Sequence, residues 1–167
     1  MMADTMTPVN PMLLHEEKLR QGIELLFYGY RDFTGEADQE LSALGLGRAH
    51  HRAIYFIGRN PGLTVSQLLA ILKITKQSLS RVLQELMAKG YVHQQPGQTD
   101  RRQRRLTLSE TGQALERKLT EAQRQRIARA YRMAGPDAVE GFRRVLLGLV
   151  DEEDRPKLVR DRLPGAA

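Results

Sequence analysis

The sequence contains no cysteine and no tryptophan, and aromatic residues make up only 5% of the chain. Without cysteine, the protein can have no disulfide, no thiol nucleophile and no cysteine-based zinc site. The longest apolar run, residues 145–150, is far shorter than the roughly 20 residues that a membrane-spanning helix needs. Residues 1–11 carry neither a basic start nor an apolar stretch, so we expect no secretion signal. These features favour a cytoplasmic protein without membrane association.

Motifs for catalysis and cofactor binding are also missing. The Gly-Leu-Gly stretch at 45–47 lacks the third glycine and the preceding strand of a dinucleotide-binding fingerprint. Adjacent His50 and His51 would point about 100° apart on a helix, so they would not chelate one ion together. No metal-binding spacing, phosphate-binding lysine motif or nucleophile elbow is present. We therefore expect no enzyme, no bound metal and no cofactor.

The positive charge of the chain is concentrated in one segment. The 167 residues carry a net charge of +6. Seven lysines or arginines and two acids lie between Lys76 and Arg105, which gives this segment +5 of that total. A basic surplus of this kind attracts polyanions, and its concentration in one segment indicates where a nucleic acid would bind.

Helical periodicity occurs on both sides of the basic segment. Residues 12–33 repeat apolar side chains at helical spacing, and the polar stretch 34–40 is expected to interrupt or fray this first helix. Residues 48–58 predict a second helix. Its inward side chains should be Ala49, Ala53, Phe56 and Ile57.

Two further helices are expected near the carboxyl end. Ser109 should cap a long helix from 110 to about 133, and Asp137 with Glu140 should cap a last one. Residues 1–11 predict a flexible arm, and residues 152–167 a charged tail.

The middle of the chain predicts a helix–turn–helix followed by a hairpin. Thr64 and Gln67 stand at the spacing of a capping box, which starts a helix at 65–72. Thr75 can cap a second helix that ends at Gly90, with apolar residues repeating at helical spacing along one face. Short strands are expected at 91–95 and 104–108, joined by an arginine-rich hairpin tip at 96–103. The predicted fold is mainly α with a small β-hairpin wing.

The polar face of the second helix suits the edges of DNA bases. It offers glutamine, arginine and serine, which hydrogen-bond bases in a major groove. Asp100 in the hairpin tip is expected to hold one guanidinium in a bidentate pair and to leave another free for a minor groove. A solvated helical pair, or a winged helix that binds another protein, is the alternative to a duplex-DNA reader. A DNA binder that responds to no ligand is a second alternative.

In its helix–turn–helix and hairpin, the sequence resembles the MarR family of bacterial winged-helix regulators. The residues that carry the resemblance are LTVSQLLAILKITKQSLSRVLQELMAKGYV and TDRRQRRLTLSETG, at 63–92 and 99–112. The resemblance implies a homodimer that represses transcription from a pseudo-palindromic operator and is released by a small ligand. It also implies a dimerisation region at 12–46 and 109–151, and a DNA-binding winged helix at 47–108. Such a regulator would be cytoplasmic and associated with the bacterial nucleoid.

The resemblance also implies which residues contact DNA, by their positions in the family pattern. On the recognition helix, residues 76–89 with its cap, they are Thr75, Lys76, Gln77, Ser78, Ser80 and Arg81. In the wing they are Asp100, Arg101, Arg102 and Arg104, with Arg102 expected in the minor groove. An aromatic or amphipathic effector is expected at Phe27, Tyr30, His51 and Tyr55, although these aromatics could instead belong to a dimer core. The chain departs from the family pattern at Lys73, where glycine is common, and at His50 and His51.

Overall fold

A computed structural model describes residues 9–159. The first element of the described residues is a short 3-10 helix, Pro11–Leu14, which is followed by α1, Glu16–Ala43, and α2, Arg48–Arg59. Part of the predicted arm therefore has regular structure, and residues 1–8 of that arm lie outside the described residues.

The predicted interruption of the first helix at 34–40 is wrong. α1 continues through this stretch because its polar groups find partners on the helix itself or face water. The Thr34 hydroxyl donates to the Tyr30 carbonyl oxygen at 3.0 Å. Ala37 and Leu41 are buried, so the last turns of α1 are held by packing against the core.

The helix–turn–helix has the predicted boundaries. It consists of α3, Val65–Leu72, and α4, Lys76–Ala88, and each begins at a threonine. The Thr64 Oγ1 accepts from the Gln67 N–H at 3.1 Å, and Gln67 Oε1 accepts in return from the Thr64 N–H at 2.9 Å. This reciprocal pair confirms the predicted capping box.

The wing is a three-stranded antiparallel sheet of β1, Leu63–Thr64, β2, Val92–Pro96, and β3, Arg104–Leu108, in the strand order β1-β3-β2. The predicted hairpin forms β2 and β3, in a register that pairs Val92 with Leu108. A third strand, β1 at Leu63–Thr64, pairs with β3 and was not predicted. Its two residues are too few to show alternation in the sequence.

The hydrophobic core lies between α2, the helix–turn–helix and the wing. Ala53 and Ile57 of α2 are buried as predicted, while Ala49 and Phe56 are half-buried and pack against this core. Ile54 is also fully buried and was not predicted. The largest fully buried side chains are Leu41, Ile54, Ile57, Leu68, Leu79, Leu86, Leu106 and Leu119.

The apolar stripe of α1 contributes little to this core. Ile23 is 69% exposed and Phe27 is 63% exposed. The exposed members of the stripe recur at helical spacing and are Leu19, Ile23, Leu26, Phe27 and Tyr30. A single chain therefore leaves a continuous apolar face in water.

Helix α5, Glu110–Ala134, begins directly after the wing. The Ser109 Oγ accepts from the Gly112 N–H at 3.0 Å, which confirms the predicted cap. The Ser109 and Thr111 hydroxyls both donate to the Gly90 carbonyl oxygen at the end of α4. The Ser-Glu-Thr-Gly stretch thus holds α5 against the loop that follows α4.

The described chain divides into two compact units, the first ending at Gln123 and the second beginning at Arg124. The second unit holds the end of α5 together with α6, Pro136–Leu149, and α7, Arg155–Val159. The predicted Asp137 and Glu140 cap is wrong, because the N-cap residue is Gly135 and Asp137 lies inside the first turn. Residues 160–167 of the predicted tail lie outside the described residues. Among residues 9–159, no helix combines the length and apolar character needed to cross a bilayer.

Candidate nucleic-acid interface

Helix α4 has two different faces. Leu79 and Leu86 on the inner face are almost completely buried, and Val82 and Leu83 are buried beside them. The outer face is exposed along its whole length. It carries Lys76, Gln77, Ser78, Ser80, Arg81 and Gln84. Packing of the inner face therefore fixes which side chains α4 presents outward.

Two of the predicted DNA-facing residues also build the start of α4. The Thr75 Oγ1 accepts from the Ser78 N–H at 3.1 Å, and the Thr75 hydroxyl donates to Ser78 Oγ at 2.8 Å. Both side chains are exposed, so they hold the first turn of α4 at the surface.

The hairpin tip is ordered by backbone contacts and by Asp100. Gly97 donates its N–H to the Gln103 carbonyl oxygen at 2.8 Å. The Asp100 Oδ1 accepts from the backbone N–H of Arg102 at 2.9 Å. The predicted bidentate pair of Asp100 with a guanidinium is therefore wrong, because a carboxylate two residues before an N–H reaches that group within the turn itself.

The arginines of the wing remain available as a consequence. Arg101, Arg102 and Arg104 are exposed, and none of them is in an ion pair within residues 9–159. Arg105 differs from them, since it is half-buried and donates to the Gly62 carbonyl oxygen at 3.1 Å. The sequence analysis counted Arg105 with the DNA-facing charge, whereas the structure uses it to hold the turn before β1.

A contact between α2 and α4 escaped the sequence analysis. His50 Nε2 lies 2.6 Å from Glu85 Oε2, and the His50 Nδ1 accepts from the Gly47 N–H at 3.0 Å. Glu85 Oε1 lies 3.4 Å from the Nε of Arg81. The spacing of Gly47 and His50 at the start of α2 was a local signal for the bond between these two residues. Nothing local indicated the contact of His50 with Glu85.

The four residues predicted to meet an effector lie in different environments. Tyr30 on α1 is linked to α2, because the Arg52 guanidinium donates to its hydroxyl oxygen at 2.8 Å. Phe27 stacks edge-on against its neighbour Tyr28, with 5.5 Å between ring centroids. Tyr55 is half-buried in α2. The ligand role of these residues stays a prediction.

His51 is the buried member of that group. Burial lowers the pKa of its imidazole below the usual 6.5, and the nearby Asp38 and Glu116 carboxylates act in the opposite direction. The neutral form is therefore favoured in the folded chain.

One group of side chains offers oxygen ligands to a cation. The carboxylates of Asp151, Glu153 and Asp154 each provide an atom within 4.8 Å of the others. Asp151 and Glu153 are exposed, and Asp154 already accepts from Lys157 at 2.7 Å. Because exposed acidic groups commonly occur without an ion, this cluster does not indicate a metal centre.

Comparison with known proteins converges on one family. Residues 44–103, which include the helix–turn–helix, strands β1 and β2 and the hairpin tip, match the model of the MarR family. The chain is 53% identical over 152 residues to the HTH-type transcriptional regulator PetP of Rhodobacter capsulatus. That match covers 90% of this chain and 92% of the relative.

Solved structures with the same fold include complexes with DNA. The Streptococcus pneumoniae FabT–DNA complex matches with a TM-score of 0.69 at 19% identity, covering 78% of this chain and 94% of that one. A mutant MarR from E. coli complexed with operator DNA matches with a TM-score of 0.61 at 19% identity, covering 77% of this chain and 92% of that one. At these identities the likeness concerns the fold.

Proposed function

Because this chain belongs to the MarR family of transcriptional regulators, we propose that it binds double-stranded DNA as a homodimer, with α4 in the major groove and the hairpin tip in the minor groove. The observation that carries the proposal is the exposed polar face of α4 together with the three unpaired wing arginines. Structural neighbours that hold DNA support the same use of the fold.

The chemistry of the α4 face suits the major groove. Gln77 and Arg81 are long enough to make paired hydrogen bonds to adenine and guanine edges, and Ser80 can donate or accept. Lys76 at the start of the helix adds a positive charge for a phosphate. Glu85 is the one acid between Lys76 and Lys89, so the face carries little repulsion toward a polyanion.

The wing arginines suit a narrow minor groove. Arg102 follows the turn at Asp100, and its backbone N–H is already bonded, so the direction of the chain at the hairpin tip is set before DNA arrives. A narrow minor groove has enhanced negative potential and attracts an inserted guanidinium. Asp100 therefore supports the wing through the backbone.

The exposed apolar face of α1 supports the dimer. Ile23 and Phe27 are more than half exposed in one chain, and so are Val145 and Leu149 on α6. Covering such faces with a second copy removes them from water. Two-fold symmetry then predicts a pseudo-palindromic operator with half-sites roughly one helical turn, about 34–36 Å, apart.

We further propose that the dimer is a cytoplasmic, nucleoid-associated repressor released by an aromatic or amphipathic ligand. The bond between Arg52 and Tyr30 supports a site for such a ligand, since it places a guanidinium of α2 beside a tyrosine hydroxyl of α1. The half-buried Tyr55 and the buried His51 lie on the same α2 helix.

The deciding experiment is selection of DNA by the full chain. Fragmented genomic DNA of the host is incubated with the protein, and retained fragments are sequenced and titrated at several salt concentrations. We expect a shared inverted repeat and a log affinity that falls linearly with log salt concentration. Retention of no fragments, or binding independent of sequence at every salt concentration, would contradict the proposal. Release of the operator by an aromatic acid from a ligand panel tests the effector separately.

A further inference from the structure

The contact between His50 and Glu85 links α2 to α4. The His50 side chain is only 11% exposed and lies on α2, whereas Glu85 lies on α4 beside the outward face. The 2.6 Å separation between Nε2 and Oε2 makes this a short hydrogen bond.

The partners of His50 determine which nitrogen carries the proton. Nδ1 faces the Gly47 N–H at 3.0 Å, which is a donor, so Nδ1 must act as the acceptor. The neutral ring therefore has its hydrogen on Nε2 and donates it to Glu85. Since both ring nitrogens have partners, the plane of the imidazole and the position of the Glu85 carboxylate are fixed together.

Glu85 in turn restricts the side chain of Arg81. Its second oxygen, Oε1, lies 3.4 Å from the Arg81 Nε, one helical turn away. The Arg81 side chain is 82% exposed, and an exposed pair of two free side chains contributes little because both must be ordered. Here one of the two is already held by His50, so only Arg81 loses freedom when the pair forms.

We propose that His50 is a positioning residue for Arg81, acting through Glu85, and that it sharpens the base preference of the recognition helix. The inference rests on the proposed function, because it requires Arg81 to contact a base. A guanidinium that is held at one nitrogen before binding presents its remaining N–H groups in a defined direction. The arrangement also explains how an acid is tolerated beside a polyanion, since each of its oxygens faces a donor of this chain.

The test compares base preference across a randomised operator library for several full-length variants. Arg81→Ala should reduce discrimination at one base pair by about 5- to 150-fold, the range for a paired base contact. His50→Ala should relax preference at that same base pair, and the double variant should match Arg81→Ala alone. His50→Gln should restore the preference, because its amide can both donate to Glu85 and accept from Gly47.

Two variants separate positioning from loss of stability. Thr64→Ala removes the cap of α3 without touching the three residues, so it should lower stability and leave the preference unchanged. Glu85→Gln keeps an acceptor for His50 and the length of the side chain but removes the ion pair with Arg81. It should therefore weaken the preference at the base pair that Arg81 contacts, in a stably folded protein. If His50→Ala does not fold, Glu85→Gln tests the proposal in its place.

The outcomes distinguish the inference from the proposed function. If the wild-type chain selects an operator but the His50→Ala and Glu85→Gln variants keep its full preference, the positioning role is wrong and the DNA-binding role stands. Independent, additive effects of His50→Ala and Arg81→Ala at different base pairs would also overturn it. If the wild-type chain selects no sequence, the proposed function itself fails.

Discussion

Gly112 at the start of α5 lies directly against the carbonyl oxygen of Tyr91, and a β-carbon built at this position overlaps that oxygen. The same carbonyl accepts from the Ser109 N–H at 2.9 Å, so it cannot move away without losing a bond. The close approach of two backbone segments explains why glycine ends the Ser-Glu-Thr-Gly stretch.

Gly112→Ala should therefore lower the free energy of unfolding by about 1–3 kcal/mol, the usual cost of an overpacked site. Gly35→Ala is the matched control, since nothing lies within 4 Å of its built β-carbon. Alanine there should leave stability unchanged or raise it by up to about 1 kcal/mol. Urea denaturation of both variants checks the prediction, and equal effects would contradict it.

Lys73 occupies the turn of the helix–turn–helix with a left-handed backbone, φ 50° and ψ 40°. Residues with a β-carbon are strained there by about 1–2 kcal/mol. Lys73→Gly and Lys73→Ala both remove the amine, so the two variants differ only in the presence of a β-carbon. We expect the glycine variant to be more stable by about 1 kcal/mol after the entropy cost of glycine.

The same pair of substitutions at Lys89 provides the control. Its φ of −82° and ψ of −3° are right-handed, so glycine should give no advantage over alanine there. Thermal denaturation of the four variants measures the difference. An advantage of glycine at both positions would show that strain at Lys73 is not the cause.

The buried His51 predicts a dependence of stability on pH. Burial lowers the pKa of the folded imidazole below 6.5, so the unfolded chain binds this proton more tightly. The stability contributed by neutral His51 is complete above pH 6.5 and is lost as the pH falls through the lowered folded pKa. Melting temperatures between about pH 8 and pH 5 should fall less steeply for His51→Gln than for the wild type. Parallel curves would exclude His51 as a source of the dependence.

Arg102 is expected to bind DNA without contributing to the dimer. Arg102→Ala should cost about 1.5–3 kcal/mol of operator affinity, the usual value of a hydrogen bond to a charged group. Arg20→Ala removes the same charge from α1, where Arg20 pairs with Glu16, and should change affinity far less. Fluorescence anisotropy with a labelled operator measures both, and sedimentation should show an unchanged oligomer. If Arg102→Ala binds the operator with wild-type affinity, the prediction that the wing contacts DNA is wrong.

The apolar face of α1 predicts a monomeric variant. Ile23→Asp places a carboxylate where a second copy would bury it, which costs several kcal/mol without a partner. Gln21→Asp adds the same charge on the opposite side of α1 and should leave the dimer intact. Sedimentation equilibrium distinguishes the two. An Ile23 variant that remains dimeric would place the interface elsewhere.

Local signals explain what the sequence predicted well. The boundaries of α3 and α4 follow from caps at Thr64 and Thr75, whose partners lie three residues away. The outward face of α4 follows from the spacing of its apolar residues, which tertiary packing then buried as expected. The assignment of that face to DNA stays a prediction until it is tested.

Contacts between distant segments decided the rest. Arg105 reaches the Gly62 carbonyl 43 residues away, although it looked like a surface charge in the sequence. Asp100 is the exception, since it accepts from a backbone N–H within its own turn. The stretch 34–40 stays helical because Ala37 and Leu41 reach a core built from later residues. Likewise, His50 meets Glu85 across 35 residues.

The sequence by itself determined α3, α4, the two hairpin strands and the polar face of α4, because periodicity and capping act within a few residues. Only the tertiary structure decided which arginines stay exposed and which acid is held by a histidine. Those choices depend on what lies close in space, and residues far apart in the chain leave no local pattern of their later proximity.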